Sequence, residues 1–183
     1  PQTHKFDVPI KIFDPNYTFN NRCFIDQSNK LWAVTPLSLR RYNSSTLALE
    51  DSIPMQGFSP TYFFMQANGI LWLAGNRQIA LYDTHTHKFK ETPQALRSHP
   101  LLLHANVNYI HPYGSNSLLL NTDQQGMFLY NYVEEYMIHQ SENGFPFEVP
   151  HFKISTMFTD SQKNLWIGSV DQGYVVRYNY KER

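Results

Sequence analysis

One cysteine stands in 183 residues, so no internal disulfide can staple this chain. Cys23 lies in the strand-like run "RCFID", where a lone thiol reads as a small apolar side chain and not as a nucleophile. Charge is scarce too. Acidic and basic residues make up 16% of the chain, 15 against 15, so no net field draws it to nucleic acid or to an anionic membrane surface. No apolar stretch nears the ~20 residues that a membrane-spanning helix needs. The opening "PQTHKFDVP" has neither a signal peptide's apolar core nor a preceding Met, as expected of a mature or excised piece. Long helical periodicity is also missing: the best window, "ETPQALRSHPLLLHA", is confined by Pro93 and Pro100 to two turns at most.

What the chain does hold is a repeat. "DSQKNLWIGSVDQGYVVRYN" (160–179) runs from an acidic turn through a Trp-centred apolar run and a Gly to a second apolar run ending in Tyr-Asn. The same order returns in "DQSNKLWAVTPLSLRRYN" (26–43) and "QANGILWLAGNRQIALYD" (66–83), and in "YGSNSLLLNTDQQGMFLYN" (113–131), where Leu119 takes the Trp position. Anchors at 32, 72, 119 and 166 are spaced by 40, 47 and 47 residues, the period of architectures built from one supersecondary unit per repeat.

Each unit reads as short strands between turn signals. In the fourth copy "HFKISTMF", "LWIGS" and "GYVVRYN" are separated by "DSQKN" and "VDQG", and more polar outer strands follow the first three copies in "TLALEDS", "HKFKETP" and "EEYMIHQ". Four antiparallel strands per unit, repeated four times, predict an all-β protein, a β-propeller of about four blades. The whole of 1–183 forms one propeller region on this reading, with an outer strand at 3–13 and repeats at about 14–54, 55–98, 99–142 and 143–183. Second strands are expected at 30–35, 70–74, 117–121 and 164–169.

The recurrent residues have mechanical roles. Trp32, Trp72 and Trp166 each supply enough apolar area to fill the wedge between blades. Asp26 and Asp160, six residues before Trp, are expected to accept hydrogen bonds from turn amides, and Gly126 and Gly173 to open the third strand with positive φ.

The pattern D-x-x-x-x-L-W-I-G-x-x-x-x-G-x-x-R-Y-N resembles the two-component regulator propeller repeat, with 160–179 as the nearest copy. The others depart from it at Leu119, at Gln66 and Tyr113 in the Asp position, and at Leu39 in place of the third-strand Gly. The resemblance covers almost the whole chain. It implies the periplasmic sensor region of a hybrid two-component receptor of Bacteroides-type bacteria, anchored in the inner membrane, that responds to glycan breakdown products. The kinase would lie elsewhere, since no kinase, receiver or DNA-binding motif occurs here.

A ligand would meet the loops at one end of the blades, those leading into first strands and those joining second to third strands. Candidate ligand residues by that position are Tyr17, Asn21, Tyr62, Arg77, His104, Asn106, Asp123, Gln124, His151, Lys153 and Asp171, a mixture suited to stacking on a sugar ring and bonding its hydroxyls. A second reading is a scaffold or oligomerisation segment without a ligand site of its own. A third is a propeller lyase or glycosidase. The pair Glu134-Glu135 sits where an outer strand is expected, which suits solvation better than acid and base work. His85 and His87 lack a third metal ligand nearby. The Asp160–Trp166 spacing resembles the Asp-box turn of sialidases, itself structural. No catalytic residues, metal or cofactor are therefore assigned, and the expected partners are an oligosaccharide and further blades or copies of the chain.

One more echo concerns the ends. "THKF" at 3–6 repeats as "THKF" at 86–89, the start of an outer strand. The first residues are thus expected to complete a blade, either beside 173–180 in a small closed ring or, the favoured reading, in an arc of a larger propeller whose open faces are covered by self-association.

Overall fold

The structure, a computed structural model, describes residues 22–35, 37–55, 57–149, 154–169, 173 and 175–179. The chain forms two compact units, Pro1–Thr61 and Tyr62–Arg183. In the first, β1 (Arg22–Ile25), β2 (Lys30–Val34), β3 (Ser38–Asn43) and β4 (Leu49–Pro54) pair antiparallel in chain order. In the second, β5 (Tyr62–Met65), β6 (Ile70–Gly75), β7 (Gln78–Asp83) and β8 (Lys88–Lys90) form one such sheet. A second sheet holds β9 (Val107–Tyr113), β10 (Ser117–Thr122), β11 (Met127–Asn131) and β12 (Tyr136–His139). A third holds β13 (Ile154–Thr159), β14 (Leu165–Ser169) and β15 (Val175–Tyr178). These four meanders are the blades expected from the repeat, and the second strands fall within a residue of their expected bounds. The segment 4–10, which pairs beside 173–180 only on the closed-ring reading, lies outside the described residues.

Two turn devices explain why the repeat letters recur. At the first hairpin, Asp160 Oδ1 accepts from the amides of Gln162 and Asn164, while Oδ2 accepts from Asn164 Nδ2 at 2.9 Å and from Trp166 Nε1 at 2.8 Å. Asp26 does the same for Ser28, Lys30 and the indole of Trp32, and Gln66 Oε1 serves Trp72. The six-residue spacing is thus an indole acceptor as well as a turn former. The third blade, with Leu119 at the Trp position, carries Tyr113 where the acceptor would stand.

At the last hairpin the residue after Tyr holds the turn. Asn43, Asp83 and Asn131 each accept two amide hydrogens, from residues two and three further on. Leu47, His87 and Glu135 then sit at positive φ. This shortens the outer strands relative to expectation. Glu134 and Glu135 belong to a turn, not to the outer strand expected there, because Asn131 binds the Glu134 amide and Glu135 turns left-handed at φ 54°. Gly126 has the positive φ assigned to it, 71°, and a Cβ there would come within 2.5 Å of the Gln140 side chain.

Hydrogen bonds to its ionised form hold the Asp160 carboxyl down at about 2, the side chains of Asn164 and Trp166 contributing most. A depressed carboxylate stabilises the fold above its unfolded value and loses that contribution as pH falls through its folded one. An NMR titration is therefore expected to place Asp160 near pH 2, with the Trp166 indole N–H slow to exchange above it. A midpoint at the ordinary carboxylate value would contradict the clamp.

In the Tyr62–Arg183 unit, β5 lies against β9 and β9 against β13, so first strands adjoin as in a propeller. Tyr62, Trp72, Ala74 and Leu81 of the second blade pack on Val107, Ile110, Leu118, Leu120, Phe128 and Tyr130 of the third. Trp72 meets Tyr130 edge-on at 5.9 Å. The other face of the third blade, with Leu119, Met127 and Leu129, packs on Ile154, Met157, Leu165 and Ile167 of the fourth. Between the second and third blades, Pro93 and Pro100 bracket α1 (Gln94–Ser98), and a 3-10 turn at Leu102–His104 follows. Leu96 and Leu102 close the end of that core.

Candidate functional site

At the loop end of the second and third blades, three of the expected residues come together. The turn joining β6 to β7 has two central residues, Asn76 and Arg77, both left-handed at φ 49° and 58°. Such a turn matches the twist of its hairpin, but Gly is the usual second residue, so Arg77 carries a conformational cost. A tether opposes that cost: the Arg77 amide donates to Asn106 Oδ1 at 2.8 Å. Asn106 is itself held by Asp123, through its amide to Oδ1 and its Nδ2 to Oδ2, each at 2.9 Å, while the Asp123 amide donates to Asn106 O. Three loops from two blades are thus tied into one rim. Arg77, Asp123 and Gln124 are exposed on it and Asn106 is half-buried.

The support beneath the rim is also polar. Asn121 Nδ2 donates to Asn108 Oδ1 at 2.8 Å, joining β10 to β9. Thr122 Oγ1 donates to Gly126 O and accepts from the Gln125 amide, shaping the turn that carries Asp123 and Gln124. Gln125 O in turn meets His139 Nε2 at 2.7 Å. Asn108 and Asn121 were not among the expected residues. Their signal was present as polar letters inside apolar strands, in "NVNYI" and "LLLNT".

His104 is exposed at the end of the 3-10 turn beside the rim. Tyr62 is not a loop residue in the sense expected: it starts β5, is buried in the core, and its ring lies 5.0 Å from that of Tyr109. Tyr17, Asn21, His151, Lys153 and Asp171 lie outside the described residues.

Below Arg77 a crevice of about 20 Å³ is lined by Gln78, Ile79, Leu96, Leu102, Leu103 and Val107 among others. It has room for about one water and is too small for a sugar ring. At the opposite end, Pro112, Gly114, Ser115, Thr159, Asp160 and Lys163 border a recess of about 700 Å³. Its carboxylate, Asp160, is already committed to the Trp166 clamp. Among the described residues no group of three or more His, Cys, Asp or Glu side chains could hold a metal, and His85 and His87 lie in the exposed turn before β8. No described helix is long and apolar enough to cross a membrane.

Solved structures share the fold. Over 92% of its length the chain matches 24% of the extracellular domain of a B. thetaiotaomicron protein described as a hybrid two-component system, at 17% identity and TM-score 0.63. A second domain so described from the same organism matches over 86% of this chain and 23% of that one, at 15% identity and TM-score 0.56. The computationally designed Ika4 protein matches over 89% of this chain and 92% of that one, at 8% identity and TM-score 0.58. The chain therefore spans about a quarter of the length of the two bacterial domains. No sequence-family model and no curated protein sequence matches it.

Proposed function

We propose that these blades belong to the extracytoplasmic, ligand-sensing region of a hybrid two-component receptor, and that the ligand is an oligosaccharide received on the Arg77–Asn106–Asp123 rim. The repeat's resemblance and the fold shared with receptor extracellular domains support the first part. The rim supports the second: backbone strain at Arg77 and four hydrogen bonds at Asn106 and Asp123 fix the backbone from which the exposed Arg77, Asp123 and Gln124 side chains project. A backbone fixed in this way lowers the ordering cost of binding a hydroxyl-rich ligand. No enzymatic role is proposed, because Glu134 and Glu135 sit on a turn and Asp160 is a structural clamp.

The scaffold reading has an observation of its own. Asn106 and Asp123 satisfy one another, as a purely structural brace would. Titrating the isotope-labelled chain with neutral and uronic-acid-containing oligosaccharides separates the two. Binding is expected to shift amides at 76–78, 104–106 and 123–125, and Arg77→Ala to weaken it about tenfold, the worth of one charge-assisted hydrogen bond, with unfolding unchanged. Absence of any shift at millimolar ligand would leave the brace alone.

A further inference from the structure

Asparagine followed by glycine occurs twice in the chain, at Asn68-Gly69 and at Asn143-Gly144. The dipeptide carries its own chemistry. With no Cβ beside it to hinder approach, the glycine nitrogen, once its amide proton is lost to base, can attack the Cγ of the preceding asparagine. The new C–N bond closes a succinimide ring, and the side-chain nitrogen leaves as ammonia. Water then opens the ring at either carbonyl. One opening gives aspartate; the other gives isoaspartate, whose main chain runs through the former side chain and is one methylene longer. No oxidant or cofactor takes part.

Both asparagines are exposed, so access to water does not separate them, but the surroundings of the glycine do. The Gly69 amide donates to Gln66 O at 3.0 Å, Asn68 Oδ1 accepts from the Ile70 amide at 3.2 Å, and Gly69 O accepts from both the amide and the hydroxyl of Thr84. The His85 ring covers this turn, its Nε2 within 2.3 Å of the place a Cβ would take at Gly69. Attack there requires the hairpin to open first. Asn143 and Gly144 differ on each count. Gly144 is exposed like its neighbour, and nothing lies within 4 Å of the place its Cβ would take. Neither the Asn143 side chain nor the Gly144 amide makes a hydrogen bond among the described residues. We propose that Asn143 is a modification site, converting spontaneously to isoaspartate and aspartate in the folded protein, while the hairpin of the second blade preserves Asn68.

The position gives the conversion a structural effect. The turn that holds 143 and 144 is closed by the Phe145 amide donating to Glu142 O at 3.3 Å. Behind it Glu142 is anchored, its Oε1 accepting from the His139 amide at 2.9 Å. Ahead of it Phe145 and Phe147 pack against the core shared by the third and fourth blades, and the Phe147 ring lies 4.4 Å from that of Tyr178. An extra methylene at 143 lengthens a connection pinned at both ends, so isoaspartate loosens the seating of the two phenylalanines. The ligand rim plays no part in this.

Peptide mass mapping of the 183-residue chain, aged at body temperature and mildly alkaline pH, tests this. The peptide holding residue 143 is expected to gain about 1 Da and to separate into isoaspartate and aspartate forms, while the one holding residue 68 converts at least about tenfold more slowly, the worth of one hydrogen bond that must break first. In urea the two should convert at similar rates, since the dipeptide is the same and only the fold distinguishes them. Asn143→Gln should remove the folded-state conversion. Amide exchange at Phe145 and Phe147 should quicken in the aged wild type and not in the aged variant. Equal conversion at 68 and 143 in the folded protein overturns the inference, as does an Asn143 that survives folded ageing while the unfolded chain converts. Unchanged exchange after conversion would overturn the loosening.

Discussion

Replacing Trp72 with Ala is expected to destabilise the fold by about 3–5 kcal/mol, the cost of losing a buried aromatic side chain and leaving a cavity. The indole is 2% exposed, lies in the cluster that joins the second and third blades, and meets Tyr130 edge-on. Its ring nitrogen is also satisfied, by Gln66 Oε1 at 3.0 Å, so removal strands a polar group as well. Against a typical total of about 5–15 kcal/mol the loss is large, and the thermal midpoint should fall by about 10–15 °C for a chain of this size. Gln66→Ala, which deletes a single hydrogen bond, should cost about 1 kcal/mol. Urea unfolding followed by the fluorescence of the remaining tryptophans measures both. A Trp72→Ala protein as stable as the parent would show that the inter-blade wedge is filled some other way.

Acidification should weaken the same unit through His111. Burial at the contact between the third and fourth blades pushes this imidazole down to about 4 from an ordinary 6.5, and its Nε2 is held by Thr159 Oγ1. The unfolded chain therefore takes up a proton between these values while the folded chain resists it. Stability is complete above about pH 6.5 and declines as pH falls toward 4. At about 1.4 kcal/mol per pH unit the full linkage is about 3 kcal/mol, reduced to about 2 by the ring's partial contact with solvent. His99, lowered chiefly by burial, adds in the same direction. The Asp160 clamp does not confuse the measurement, because it fails only nearer pH 2. Urea midpoints from pH 7 to 4 should fall for the wild type and fall less for His111→Gln. Parallel slopes for the two would place the pH dependence elsewhere.

The repeat was legible because each of its letters serves a contact within about a dozen residues. Asp160 reaches Trp166 across one hairpin, and Asn131 reaches Val133 and Glu134 within one turn. Such contacts leave a fixed spacing in the chain, and four near-copies made the spacing visible. Local geometry was less legible where strand ends compete with turns. Glu134 and Glu135 look like strand residues beside "YMIH", yet the Asn131 side chain draws the chain into a turn first.

The site was legible by position and not by letter. Arg77, Asn106 and Asp123 could be singled out because propeller loops at one end converge, but their bonds span 29 and 17 residues and leave no spacing rule. Tyr62 could not be sorted the same way, since tyrosine suits a loop tip and a blade core equally, and only its packing beside Tyr109 assigned it to the core.

By itself, the sequence determined that this protein is a string of all-β blades, where each second strand runs, and that an acidic or amide side chain six residues before each tryptophan shapes the first hairpin, because periodicity and turn chemistry are local and repeat. Only the tertiary structure decided which faces are buried and which are open, and which loops meet. Trp72 and Trp166 carry the same local signature. One is covered by Tyr130 of the next blade and the other shares its face with an exposed Phe158, a difference made by what lies across the blade and not by the letters beside it.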